Sequence, residues 1–149
     1  MEELDSKLVI ILDGADGVGK STVRKYLHEH DPTAFIIERF TPSMFAYGVF
    51  YRRKIDVVRM LKYEERLSRS FSVHAILIEC SDEEELWDRF RRSRHIVNLS
   101  KQDLQMIQRF LRSYCKYVST LSWKTYDSFR KSAENIAKQI ISEVYKNGN

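Results

Sequence analysis

Cysteine is scarce in this 149-residue chain. Cys80 and Cys115 stand apart, in no metal-ligand spacing, which argues against a disulfide framework or a zinc cluster and for a reducing, cytosolic setting. Long apolar runs are missing as well. None approaches the roughly 20 residues that cross a bilayer, and Glu2, Glu3 and Asp5 precede only a short apolar run, unlike a signal peptide. A soluble, cytoplasmic protein with no membrane partner is expected. The chain shows no repeat, low-complexity tract or linker, so residues 1–149 read as one domain, long enough for an ordinary core. Two motifs are also absent. A guanine-nucleotide switch carries N-K-x-D, and an assembly ATPase carries paired acids after an apolar strand; here Glu79 is followed by Cys80. His28, His30, His74 and His95 have no metal-ligand spacing. The net charge of +4 and a pI of about 9.1 suit anionic partners without identifying one.

What is present is a phosphate loop. Gly14-Ala15-Asp16-Gly17-Val18-Gly19-Lys20-Ser21 matches G-x-x-x-x-G-K-[ST] at every fixed position. The context fits: Leu8-Val9-Ile10-Ile11-Leu12 reads as a strand buried on both faces, and Val23, Tyr26 and Leu27 recur at helical spacing after the loop. The glycines let backbone N–H groups close around phosphate oxygens, and the helix N-terminus adds positive potential. Lys20 is then placed to reach the outer phosphates of ATP, and Ser21 to hold Mg2+.

Further strands are expected at Phe35-Ile36-Ile37, read as buried, at Val73-His74-Ala75-Ile76-Leu77-Ile78, and more weakly from Trp123 to Tyr126. Strands alternating with helices imply a parallel sheet and an α/β fold. Ser81 with Asp82, Glu83 and Glu84 predicts a helix start, and Ser100 with Asp103 another. The second helix carries an apolar stripe, Leu104, Ile107, Leu111, Tyr114, Val118 and Leu121, that must face a core. Ser132 is placed to cap a closing helix with Ile136, Ala137, Ile140, Ile141 and Val144 on its inner face, and Gly148 and Asn149 read as a frayed end.

Glu38 and Arg39 follow the second strand and would emerge beside the phosphate loop, at the edge where open α/β sheets bind ligands. A carboxylate there can hold Mg2+ or accept a proton, and a guanidinium can clamp a phosphate; an exposed ion pair between the two is the plain alternative. Arg52-Arg53-Lys54, beside Phe45, Tyr47, Phe50 and Tyr51, could stack a base and neutralise phosphates, though a half-buried helix uses the same letters.

With those residues in view, the chain resembles the thymidylate kinase and deoxynucleoside kinase group of P-loop kinases. The likeness lies in Leu12-Asp13-Gly14-Ala15-Asp16-Gly17-Val18-Gly19-Lys20-Ser21-Thr22, and in Glu38-Arg39-Phe40 followed by Ser43, Ala46 and Tyr47. Residues 73–94 resemble that group's strand and lid. The resemblance implies a three-layer fold around a small parallel sheet, and an ATP-dependent phosphotransferase acting on a deoxynucleotide-type acceptor. It makes residues 14–22 the ATP cradle and Ser21 and Glu38 the Mg2+ side chains, and it places Arg39 on the transferring or acceptor phosphate. It puts Arg89 and Arg92, or the alternative pair Arg91 and Arg94, over the ATP phosphates. Asp16 would face an acceptor sugar, as in thymidylate kinases, whereas Asp13 stands where deoxynucleoside kinases keep a base; loop capping is the alternative for both.

The chain departs from the group in one place. From Lys20 to Glu38 there is room for one helix and one strand, so the segment that usually encloses the acceptor is reduced unless residues 41–71 cover it. An open basic site could admit a nucleotide within DNA, for instance at a hydroxymethyl group on a modified pyrimidine. An ATPase that hydrolyses without transfer is the reading from another class.

Overall fold

The computed structural model describes residues 7–93 and 98–145. Four strands, β1 (Lys7–Asp13), β2 (Phe35–Glu38), β3 (Phe71–Glu79) and β4 (Trp123–Asp127), form one parallel sheet in the order β2-β1-β3-β4. Six α-helices accompany them among the described residues: α1 (Lys20–His30), α2 (Thr41–Phe50), α3 (Val57–Ser70), α4 (Glu83–Arg92), α5 (Lys101–Ser113) and α6 (Ala133–Val144). The chain steps from β1 outward to β2, then back across β1 to β3 and on to β4. Right-handed crossovers therefore put α1 on one face and α2 to α5 on the other. The packing agrees, since α1 meets α6 while α5 meets α2 and α4. Val9, Ile10, Ile11 and Leu12 of the central β1 are fully buried, as a strand covered on both faces requires.

Helix starts follow the sequence signals closely. Ser100 and Asp103 form both halves of a capping box, and Ser132 accepts from the Asn135 amide. The α4 cap is Asp82 rather than Ser81, because it is the Asp82 carboxylate that accepts from the Glu85 amide.

Two expectations need correction. β2 is not a buried strand: it lies at the sheet edge, with Phe35 59% exposed and stacked on Phe71 at the start of β3. The residues between Lys20 and Glu38 hold only α1 and β2, so no further strand covers it. The apolar stripe predicted from Leu104 to Leu121 stops early. Leu104, Ile107, Leu111 and Tyr114 are buried, but residues 114–118 open into a π turn closed by Ser119 N–H donating to Tyr114 O at 2.9 Å.

That wide turn serves a carboxylate the sequence did not reveal. Glu64, on α3, is fully buried, yet no cation among the described residues pairs with it. It accepts from Thr41 Oγ1 (2.7 Å), Tyr114 OH (2.6 Å), Ser119 Oγ (2.9 Å), Thr120 N (2.8 Å) and Thr120 Oγ1 (2.8 Å). Three separate stretches of chain are thus tied to one side chain, which fixes the α2–α3 hairpin on the body. Burial alone would raise this carboxyl, but the donors, Tyr114 and Thr41 foremost, outweigh burial and hold it below its ordinary value of 4.5.

Glu64→Gln would turn an NH2 group toward donors. The variant is expected to lose about 1–3 kcal/mol of unfolding free energy at pH 7. Because the folded-state value is depressed, this contribution is present above about pH 4.5 and lost as the pH falls through the lower folded value. Urea unfolding of both proteins from pH 7 to pH 3 should show the gap closing; a gap independent of pH would contradict an ionised Glu64.

Candidate active site

All four strands end on an acid, Asp13, Glu38, Glu79 and Asp127, at one edge of the sheet, and each acid has its own partner there. Asp13 comes first because the phosphate loop starts from it. Its fully buried carboxylate accepts from Gly14 N (2.8 Å), Phe40 N (2.9 Å), Ser43 N (3.1 Å) and Ser43 Oγ. It therefore locks the loop to the start of α2. Burial lifts the Asp13 carboxyl above its ordinary value, against the pull of these donors and of Lys20. Such a saturated group fits the capping alternative and is poorly placed to take a proton from an acceptor.

The loop turns on glycines. Gly17 and Gly19 have φ of 91° and 104°, and Gly14 leaves no space for a side chain, because a Cβ there would stand 2.3 Å from Ile78 O. Asp16, Gly17, Gly19, Lys20, Ser21 and Thr22 line a cleft of about 380 Å³ with Glu38, Arg39 and Ser93. Gly14, Ala15 and Val18 lie outside that lining. Ala15 and Val18 are buried, and the carbonyls of Gly14 and Ala15 accept from Lys20 Nζ at 2.6 and 2.9 Å. Burial lowers the Lys20 ammonium below its ordinary value, against the nearby charges of Asp13 and Glu38. A phosphate entering the cleft would offer this ammonium the charge that the carbonyls lack.

Glu38 and Arg39 do not pair with each other, so the plain ion-pair alternative is not what forms. Glu38 Oε1 lies 3.5 Å from Ser21 Oγ, and Glu38 Oε2 accepts from Arg24 at 2.8 Å. A hydroxyl and a carboxylate oxygen side by side at a phosphate loop are the hard donors Mg2+ selects, so these residues fit the metal. Arg39 is held with φ of 66°, a left-handed conformation that costs a non-glycine residue about 1 kcal/mol. In this pose its guanidinium pairs with Asp16 and lies over the Tyr47 ring, 5.3 Å from the centroid. Tyr47 OH in turn donates to Asp16 Oδ2 at 3.3 Å. Burial raises the Tyr47 phenol, so it stays a neutral donor. Tyr47 also lines a second cavity, of about 500 Å³, between α2 and α3. It thus touches two residues of the phosphate cleft, Asp16 and Arg39, while lining that pocket.

The expected lid residues are placed elsewhere. Arg89 donates to Glu85 (3.1 Å), to Ser128 Oγ (3.0 Å) and to Ser128 O (3.1 Å), and Arg92 lies exposed against Glu85 and the Asp88 carbonyl. They do share a helix face, but Glu85 on that face collects both, and neither lines the cleft. Arg91 pairs with Asp88, while Arg94 and His95 lie outside the described residues. Glu79 pairs with Arg112 at 2.6 Å, away from the cleft, and Asp127 accepts from the Ser81 and Phe129 amides. Burial pushes both thiols, Cys80 and Cys115, above their ordinary value, in keeping with no chemistry there. Sequence reading missed Arg24 and Ser93. Arg24 stands one helical turn after Lys20, a spacing that could have revealed it; no signal pointed to Ser93.

No protein-family model and no curated protein matches the chain. Its fold is nonetheless shared. YorR from Bacillus subtilis, solved in complex with phosphorylated GDP, is similar with a TM-score of 0.72 and 22% identity over 93% of this chain and 96% of that one. Deoxyadenosine kinase from M. mycoides, solved with dCMP and a flexible dCDP, is similar with a TM-score of 0.63 and 10% identity, covering 93% and 99%. Shikimate kinase from Acinetobacter baumannii follows with a TM-score of 0.51 and 18% identity, covering 96% of each chain. At these identities the likeness establishes the P-loop kinase fold, with its parallel sheet.

Asp13→Asn would turn an amide NH2 toward backbone N–H donors in a buried site. The variant is expected to lose about 2–3 kcal/mol of stability without any ligand present. An unchanged melting temperature would mean that the carboxylate is not the anchor of loop and helix.

Proposed function

We propose that the chain is an ATP-dependent phosphotransferase with a nucleotide-type acceptor, seated in the pocket between α2 and α3. The observation that carries this reading is the Asp16–Arg39–Tyr47 contact, in which two residues of the phosphate cleft meet one that lines a second, aromatic-lined cavity. A volume of about 500 Å³ falls within the range of small-molecule sites. The nucleotides bound to YorR and to deoxyadenosine kinase support a nucleotide acceptor, and the glutamate-arginine pair supports a thymidylate-kinase-like one.

In this reading Lys20 leaves the Gly14 and Ala15 carbonyls for the outer phosphates of ATP, while the loop N–H groups bind the inner ones. Ser21 and Glu38 hold Mg2+, with Arg24 fixing the carboxylate; the ion supplies charge neutralisation on the phosphates. Arg39 exchanges Asp16 for a phosphate at the junction of the two cavities and aligns acceptor with donor. The bond from the γ-phosphorus to the β,γ-bridging oxygen breaks as a bond to the acceptor oxygen forms, and ADP leaves. Positioning and charge stabilisation supply most of the acceleration. Asp16 lines the phosphate cleft and reaches the acceptor side through Tyr47, and Asp13 acts as a positioning residue. The placement of Glu79 on Arg112 speaks against a hydrolytic ATPase, which would use an acid there.

Transfer of labelled γ-phosphate from ATP to a panel of deoxynucleosides and deoxynucleoside monophosphates tests this. Label should appear in a nucleotide, fall about 10²–10³-fold in Lys20→Ala or Arg39→Ala, and vanish with EDTA. ATP consumption without label in any acceptor would sink the kinase reading. Asp13→Asn should reduce transfer equally for hydroxyl and phosphate acceptors, whereas a loss confined to hydroxyl acceptors would restore it as a base.

A further inference from the structure

The positive charge of this chain is unevenly spent. Around the sheet several cations have carboxylate partners, Arg24 with Glu38, Arg89 with Glu85, Arg112 with Glu79 and Lys124 with Glu143, and those without one, such as Arg109 on α5 and Lys138 on α6, stand singly. On the α2–α3 hairpin, Arg52, Arg53, Lys54, Arg59, Lys62 and Arg66 are all exposed. None of these six pairs with a carboxylate of the described residues. Arg59, Lys62, Arg66 and Arg69 recur at steps of three, four and three, so they form one stripe about 15 Å long on α3. Only Arg69, at the far end, has an acid, Glu65. A row of like charges on one helix face is unfavourable by a few tenths of a kcal/mol per pair, and a polyanion relieves it.

The stripe starts at the pocket. Arg53, Lys54 and Arg59 line it with Tyr47 and Tyr63, and its one acid, Asp56, is occupied in capping α3 through the Arg59 amide. Arg53 lies 4.9 Å over the Tyr51 ring and Arg59 5.7 Å over Tyr63, so these guanidiniums are steadied by rings while their donors stay open. Lys62 and Arg66 do not line the pocket. They stand roughly 4.5 and 10 Å further along the helix than Arg59, so they carry the charge on past the pocket.

We propose that a single-stranded nucleic acid lies along this face of α3, its phosphates on Arg59, Lys62 and Arg66, with one nucleotide entering the tyrosine-lined pocket. Interleaved cations and aromatic rings around a concave site suit a strand whose bases can stack, which a membrane surface does not require. The nature of the occupant rests on the nucleotide-acceptor reading above; the charge stripe does not.

The test is fluorescence anisotropy of a labelled mixed-sequence 12-mer, as DNA and as RNA, titrated with the full chain at several salt concentrations. Binding of either strand is expected, with log K falling linearly against log salt. The double variant Lys62→Glu, Arg66→Glu should bind at least about tenfold more weakly at 100 mM salt, with the slope reduced by about 1.4. The double variant Arg109→Glu, Lys138→Glu makes the same charge change on exposed residues of α5 and α6 and should leave strand binding as it is. Equal losses in the two variants would overturn the proposal, as would binding to phosphatidylserine vesicles but to neither oligonucleotide. If Lys20→Ala leaves ATP binding untouched while the strand still binds through α3, the kinase reading fails and the track stands. If ATP is bound and a mononucleotide is phosphorylated while the strand ignores Lys62 and Arg66, the track fails alone.

Discussion

The carboxylate of Asp13 joins the two halves of the candidate site. It closes on the first amide of the phosphate loop and on two amides at the start of α2, so the loop and that helix share one buried anchor. The consequence reaches further than those bonds. With α2 fixed in this way, Tyr47 comes to face Asp16, and Arg39 is held against both. Glu64 does the same for the other side of the hairpin by fastening α3 to α2 and to the π turn. Two buried acids, each saturated by hydrogen-bond donors, fix the geometry of the exposed groups around them.

Much of this was legible from residue patterns. The phosphate loop announced itself because its spacing answers directly to phosphate geometry, and the caps at Ser100 and Ser132 did so because capping is local chemistry. The β2 error has a plain cause: an apolar tripeptide reads alike whether one face or two are covered, and its neighbours are set by topology rather than by its own residues. The π turn was hidden because one extra residue in a helical turn leaves the apolar spacing nearly unchanged until Ser119 and Thr120 bend away to Glu64. Glu64 itself looks in sequence like any charge on an amphipathic helix. Its partners lie 23 to 56 residues away, where no local pattern reaches.

The lid arginines show a different limit. Their shared helix face follows from spacing, but the partners they take here do not, since Glu85 lies on the same face and Ser128 comes from just past the end of β4. Similarly, Glu38 and Arg39 are neighbours in sequence that part at the end of β2. The left-handed turn at Arg39 sends one side chain to Ser21 and Arg24 and the other to Asp16 and Tyr47.

That turn also bears on how the protein would drift under selection. Glycine would relieve the left-handed backbone at position 39, worth about 1 kcal/mol, but it would also leave the nearly buried Asp16 carboxylate without its cation and Tyr47 without the guanidinium over its ring. Selection for thermal tolerance alone would therefore keep the strained arginine for as long as Asp16 stands opposite it. Drift at one of these positions is tied to drift at the other.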